Sequence, residues 1–301
     1  MTNADAAREN RCAMSLIAPE KNPEPKSGNV DIGGVRLHCL DWGGAGDPIV
    51  LLHATGFLGR IYAPIARALT RIGHVYSYDQ RGHGDSSLAH DGRYDWQLTM
   101  EDLAAFIEAM GFRGVRAFGH SAGATAIGSL ACERPDLISR AVLTEPVVFQ
   151  SPTAPELGWR DPFTESTLKR KRMFDSVEAM FQNFDRKPPF ATWDKSMLHD
   201  YCEFGTRLNV DGKRELKCNP EIEARYYQTS RDFDGLGRIL RAEVPLLVMF
   251  GEKSDSLGRT LADMIASKLK RGRVEKVPDT GHFMPMEQPA AIAQKAIEFL
   301  K

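Results

Sequence analysis

Cysteine is sparse and unpatterned in this chain: five residues in 301, at positions 12, 39, 132, 202 and 218, with no C-x-x-C pair. That spacing excludes a disulfide framework and a thiolate zinc site, and it suits a reducing compartment. Charge of one sign is lacking too. The 39 Lys and Arg nearly balance the 40 Asp and Glu, for a net charge of −1. Nothing in that balance marks a nucleic-acid or polyanion partner. No apolar run approaches the roughly 18 residues of a membrane span. The N-terminal stretch MTNADAARENRCAMSLIAPEKNPEPKSGN has no basic start leading into a long apolar core, so a secretory signal is not expected. Its polar, proline-bearing composition predicts a disordered leader over 1–28. Histidines at ligand spacing are absent, as is a G-x-G-x-x-G after a strand, so neither a metal nor another cofactor is expected. These absences describe a cytoplasmic soluble protein.

At 42% apolar residues the chain can bury a large core, and its length allows one domain with a sizeable insertion. Strand-like runs fall at 35–40, 49–53, 74–79, 115–119, 141–145, 245–251 and 273–278. The inner ones are continuous in Val, Leu, Ile and Phe, as in strands buried on both faces of a parallel sheet. Helical stretches are expected at 60–72, 99–110, 121–133, 259–270 and 289–300, with Thr99 capping the second and Asp102 answering it. The alternation predicts an α/β fold built on a doubly wound, mostly parallel sheet. Residues 149–240 break the rhythm and hold half of the aromatic residues. There Leu168, Met173, Phe174, Val177, Met180, Phe181 and Phe184 follow helical spacing, most simply as packing. The run KRKR (169–172) reads as a solvated face. The expected division is a core of 29–148 and 241–301, with a helical cap over 149–240 lying above the strand ends.

The stretch FGHSAGAT (118–125) places a serine between two glycines where a strand gives way to a helix. Serine is a good N-cap, so capping alone would account for it. However, parallel α/β sheets carry their working residues on loops at the carboxyl ends of strands, and other such loops are equally suggestive. They read HATGF after 49–53, DQRGHGDS after 74–78, GEKSD after 245–250, and DTGHFMPMEQP after 273–278. In chain order these loops offer Ser121, Asp255 and His282. A serine on G-x-S-x-G followed by an acid and then a histidine is the α/β-hydrolase order. From about residue 30 to 301 the sequence resembles the α/β-hydrolase superfamily, as a serine-nucleophile, capped, esterase-like member.

The resemblance implies a role for each matching position. Ser121 matches the nucleophile, His282 the general base, and Asp255 the acid that orients the imidazole. Glu145, ending the strand in LTEP, is the reserve acid, because some relatives hold theirs there. The usual G-x-x-D acid position is Ser254 here, with the aspartate one residue later. His53 matches the histidine of the family's His-Gly loop, which here reads His-Ala. Its backbone, through Thr55 or Gly56 with Thr55 preferred, joins the Ala122 amide as the expected oxyanion hole. His83 and His120 belong to recurrent family motifs without a catalytic role. The implied reaction is hydrolysis of a carboxylic ester of a small, largely apolar substrate through an acyl-enzyme. C–C bond hydrolysis, lactonase and perhydrolase chemistry fit the same triad, and a non-catalytic ligand-binding protein is the alternative of another class. Epoxide opening and halide displacement are not implied, since those relatives carry an aspartate at the nucleophile position. A small-molecule substrate is the expected partner, with the chain a monomer or homodimer.

Overall fold

The computed structural model describes residues 24–149 and 162–301. The first half of the core comprises β1 (Lys26–Asp31), β2 (Arg36–Gly43), β3 (Pro48–Leu52), α1 (Ala63–Leu69), β4 (His74–Tyr78), α2 (Trp96–Ala109), β5 (Val115–His120), α3 (Ala122–Glu133) and β6 (Ile138–Thr144). An insertion follows: α4 (Pro162–Leu168), β7 (Met173–Phe174), α5 (Val177–Phe184), α6 (Lys195–Phe204), β8 (Thr206–Leu208), β9 (Arg214–Leu216), α7 (Pro220–Thr229) and α8 (Gly235–Arg241). The core closes with β10 (Leu246–Gly251), α9 (Arg259–Lys268), β11 (Gly272–Val277), α10 (Met284–Glu287) and α11 (Pro289–Leu300).

Eight strands form one sheet in the order β1-β2-β4-β3-β5-β6-β10-β11. The six from β4 to β11 run parallel, while β1 and β2 pair antiparallel at one edge. Every residue of β10 is buried, as are Ile49–Leu52 of β3, because helices cover both faces of the sheet. One face packs α2, α3, α8 and α9; the other packs α1 and α11. From β3 the chain crosses to β4 on one side and then returns to β5 on the other. The strand order therefore reverses between β3 and β5, and at such a switch point the two following loops diverge and leave a crevice above the strand ends.

Several expectations change here. Lys26–Gly28, read as part of the leader, begin β1; residues 1–23 of that leader lie outside the described residues. Strand β1 is polar and mostly exposed, so it carries no hydrophobic signal. Helix α2 starts a turn earlier than expected, because Asp95 caps it by accepting from the Leu98 amide at 2.8 Å. Asp102 instead takes both Nε and Nη2 of Arg81, at 2.6 and 2.5 Å, in a buried bidentate pair. The apolar stripe from Leu168 to Phe184 is not one helix: it crosses the end of α4, strand β7 and α5. Nor is the insertion wholly helical, since β7, β9 and β8 form a small antiparallel sheet. Its start, 150–161, lies outside the described residues.

Candidate active site

Ser121 stands at the top of β5 with φ 55° and ψ −121°, a backbone region that L-residues seldom adopt. Its side chain caps no helix amide, so capping does not account for it. The flanking glycines are required by close approach. A Cβ at Gly119 would lie 2.6 Å from the Ala124 Cα, and one at Gly123 only 2.4 Å from the Leu52 carbonyl oxygen. With no side chain at either position, α3 seats directly behind the turn, and the strain concentrates on the serine.

The Ser121 hydroxyl lies 3.1 Å from His282 Nε2, and His282 Nδ1 lies 3.1 Å from Glu145 Oε2. The residue that meets the imidazole is thus Glu145, the reserve acid, and Asp255 is corrected. Asp255 is exposed, one residue past the position that could reach inward. That position is Ser254, whose hydroxyl donates to Glu145 Oε2 at 2.6 Å, while the Gly251 amide donates to Oε1 at 2.6 Å. Glu145 is completely buried, with φ 50°, at the end of β6. A carboxylate only accepts, so Nδ1 carries the imidazole proton and Nε2 is free to take one from Ser121.

The loop after β3 leaves one amide uncommitted beside the turn. Gly56 N–H donates to His83 Nε2 at 3.0 Å, and Ala54 N–H to the Tyr62 hydroxyl at 3.3 Å. The Ala54 carbonyl accepts from His53 Nδ1 at 2.7 Å and from Phe57 N–H at 3.2 Å. In a planar trans peptide the Thr55 N–H points opposite to that pinned carbonyl. Among the described residues it has no partner, and the Thr55 hydroxyl, though buried, has none either. Ala122 N–H is the first amide of α3, an orphan donor by position.

Three buried histidines surround these loops without touching the Ser121 hydroxyl. Burial pushes the His83 pKa down to about 3, helped by the neighbouring His53, and burial also lowers His53 and His120. His83 accepts at Nε2 and donates from Nδ1 to the Arg81 carbonyl at 3.0 Å, so it serves as a neutral imidazole. A folded pKa of about 3 against about 6.5 in the unfolded chain means that unfolding takes up a proton between those values. Stability from this group is therefore full above pH 6.5 and drains as pH falls, by about 1.4 kcal/mol per unit. The stability gap between wild type and His83→Gln is expected to narrow at that slope from pH 6.5 to 4.5, in urea titrations at each pH. A constant gap would contradict a neutral buried His83.

The insertion lies on these loops. Asp194 N–H donates to the Met286 carbonyl just past His282, and Trp96 Nε1 to the Tyr226 carbonyl. Phe57 and Phe283 flank Trp193, with ring centroids at 5.3 and 5.5 Å. Within KRKR, Arg170 departs from the solvated reading, because it turns inward and pairs with the buried Glu223. That carboxylate sits where a Gly56 side chain would go. His38, Asp79 and Asp85 come within ligand distance of one another. Yet Asp79 already accepts from Gly59 and Asp85 amides, and Lys217 lies 2.6 Å from Asp85. The group is better read as a braced turn than as a cation site.

A model of the alpha/beta hydrolase family matches residues 49–295. The chain belongs to the alpha/beta hydrolase family. It is 23% identical over 286 residues to a bifunctional esterase/perhydrolase of Acinetobacter calcoaceticus, covering 89% of this chain and 97% of that one. It is 31% identical over 121 residues to an N-formylmaleamate deformylase of Pseudomonas putida, covering 40% of this chain and 45% of that one. Among solved structures, E-2-(acetamidomethylene)succinate hydrolase superposes with a TM-score of 0.78 at 20% identity, over 91% of this chain and 98% of that one. At that identity the likeness to this alpha/beta hydrolase is one of fold. Among the described residues, no helix is long and apolar enough to cross a membrane.

Proposed function

We propose that this alpha/beta hydrolase is a serine hydrolase cleaving a carboxylic ester through an acyl-enzyme. The observation that carries the reading is the hydrogen-bonded line Ser121–His282–Glu145. Ser121 gives its proton to His282 Nε2 as its oxygen attacks the ester carbonyl. The resulting oxyanion accepts from the Thr55 and Ala122 amides, and a single such donor is worth about 10²–10³ in rate. His282, its other proton held by Glu145, protonates the departing alcohol. Water then loses a proton to His282 and attacks the acyl carbonyl, and collapse of that intermediate returns the proton to Ser121 and releases the acid. In this reading 149–240 serve as the cap. The aromatic cluster of Phe57, Trp193, Tyr201 and Phe283 supports an apolar acyl or alcohol group. With hydrogen peroxide in place of water, the same acyl-enzyme yields a peracid. The name of the Acinetobacter relative, covering 89% of this chain, favours testing that reaction too.

Treatment of the purified protein with a fluorophosphonate probe, followed by peptide mapping, tests the reading. The expected result is phosphonylation at Ser121, abolished in His282→Ala. A folded protein left unlabelled would favour a non-catalytic, ligand-binding member of the family.

A further inference from the structure

The two loops that flank Ser121 are joined behind it by a single buried chain of hydrogen bonds. Ala54 N–H, beside Thr55, meets the Tyr62 hydroxyl at 3.3 Å; that hydroxyl lies 2.6 Å from His120 Nδ1; and His120 Nε2 lies 2.9 Å from the His282 carbonyl oxygen. Tyr62 and His120 are both completely buried. Elementary donor and acceptor rules fix the direction of the chain. A carbonyl only accepts, so the His120 proton sits on Nε2. Its Nδ1, being unprotonated, accepts from the Tyr62 O–H. The Tyr62 oxygen in turn accepts from Ala54. Every member is satisfied once and in one direction, without any net charge.

We propose that Tyr62 and His120 are positioning residues that set the separation between the oxyanion-side loop and the histidine loop. The inference rests on the serine-hydrolase reading above. Ala54 is one peptide away from the proposed Thr55 donor, and the His282 carbonyl belongs to the residue carrying the base. Tyr62 itself stands on the short turn at Gly59–Tyr62 before α1, and His120 is the last residue of β5. The chain thus spans from the loop after β3, past the end of β5, to the loop after β11. Loss of a link leaves a buried amide or carbonyl to seek another partner, and the two loops move independently. A misplacement near 1 Å costs about 10² in rate, so the effect belongs in kcat.

The test is a double-mutant cycle of Tyr62→Phe and His120→Phe on a short activated ester, with KM and Tm measured alongside. Each single variant is expected to lose about 10- to 100-fold in kcat with KM little changed. The double variant is expected to be no worse than the poorer single, because both changes cut the same chain. Multiplicative losses, or an unchanged kcat in Tyr62→Phe, would overturn the proposal. Nitrogen-15 NMR of histidine-labelled wild type supplies a readout independent of activity. Protonation at His120 Nε2, with an Nδ1 resonance displaced in Tyr62→Phe, is expected; a proton on Nδ1 overturns the chain as drawn. Wild type unlabelled by the fluorophosphonate would instead strike the serine-hydrolase reading and the positioning role with it. Wild type labelled, with Tyr62→Phe labelled equally fast, would strike the positioning role alone.

Discussion

Glu145→Gln is expected to lower kcat on an activated ester by about 10³–10⁴, while Asp255→Asn stays within about twofold of wild type. The amide is nearly isosteric, so the cavity at the end of β6 stays filled. What changes is the proton inventory. A carboxylate accepts from Gly251 N–H, Ser254 O–H and His282 Nδ1–H together. The amide of a glutamine offers one oxygen and one N–H2 group, so the N–H2 faces either Gly251 N–H or, in the other orientation, both the Ser254 hydroxyl and His282 Nδ1–H. The second orientation leaves Gly251 N–H its acceptor and lets the Ser254 hydroxyl turn, so it is His282 that yields: the imidazole shifts its proton to Nε2 and no longer takes the Ser121 proton. Steady-state kinetics of the two variants decide between the acids. A large loss in Asp255→Asn, with Glu145→Gln near normal, would place the acid on the loop after β10. Fluorophosphonate labelling should follow kcat, since both need the same deprotonation.

The register of that acid marks where the sequence stopped being legible. Ser121 and His282 announce themselves by local pattern: a serine between glycines at a strand end, and a histidine after glycine in the last loop. The acid has no such pattern, because either of two strand ends delivers a carboxylate to the same imidazole. The available signal was Ser254, a hydroxyl in the position where relatives often carry the acid. A hydroxyl there can only support an acid supplied from elsewhere, and Glu145 ends the neighbouring strand. In the sequence only register favours the Thr55 amide over that of Gly56; the physical ground is that His83 occupies the Gly56 amide. Parallel strands were readable because burial on both faces leaves unbroken apolar runs. β1 and the three strands of the insertion were not, being polar and exposed or only two to three residues long. Tyr62 had no sequence signature at all, since a core aromatic near a helix start looks the same whether or not its hydroxyl links two loops.

Gly123→Ala is expected to cost about 10² or more in kcat, along with about 1–3 kcal/mol of stability from overpacking. The added methyl would sit 2.4 Å from the Leu52 carbonyl oxygen and 2.6 Å from that of His53. Both are backbone atoms, and both belong to the end of β3, where no side chain can swing aside. Relief requires moving α3 away from β3. That motion carries the Ala122 amide on one side and the Thr55 loop on the other, so the pair of proposed oxyanion donors spreads by the same distance. Stability and rate are thereby hurt by one displacement, and KM should change less than kcat, because the proposed reading seats the apolar part of the ester on the aromatic cluster rather than on the oxyanion donors. Gly258→Ala is the control. Nothing lies within 4 Å of its added methyl and its φ is −61°, so both activity and Tm should remain near wild type. A Gly123→Ala enzyme with normal kcat would mean that the donors tolerate the spread, and that the glycine is there for folding rather than for the oxyanion.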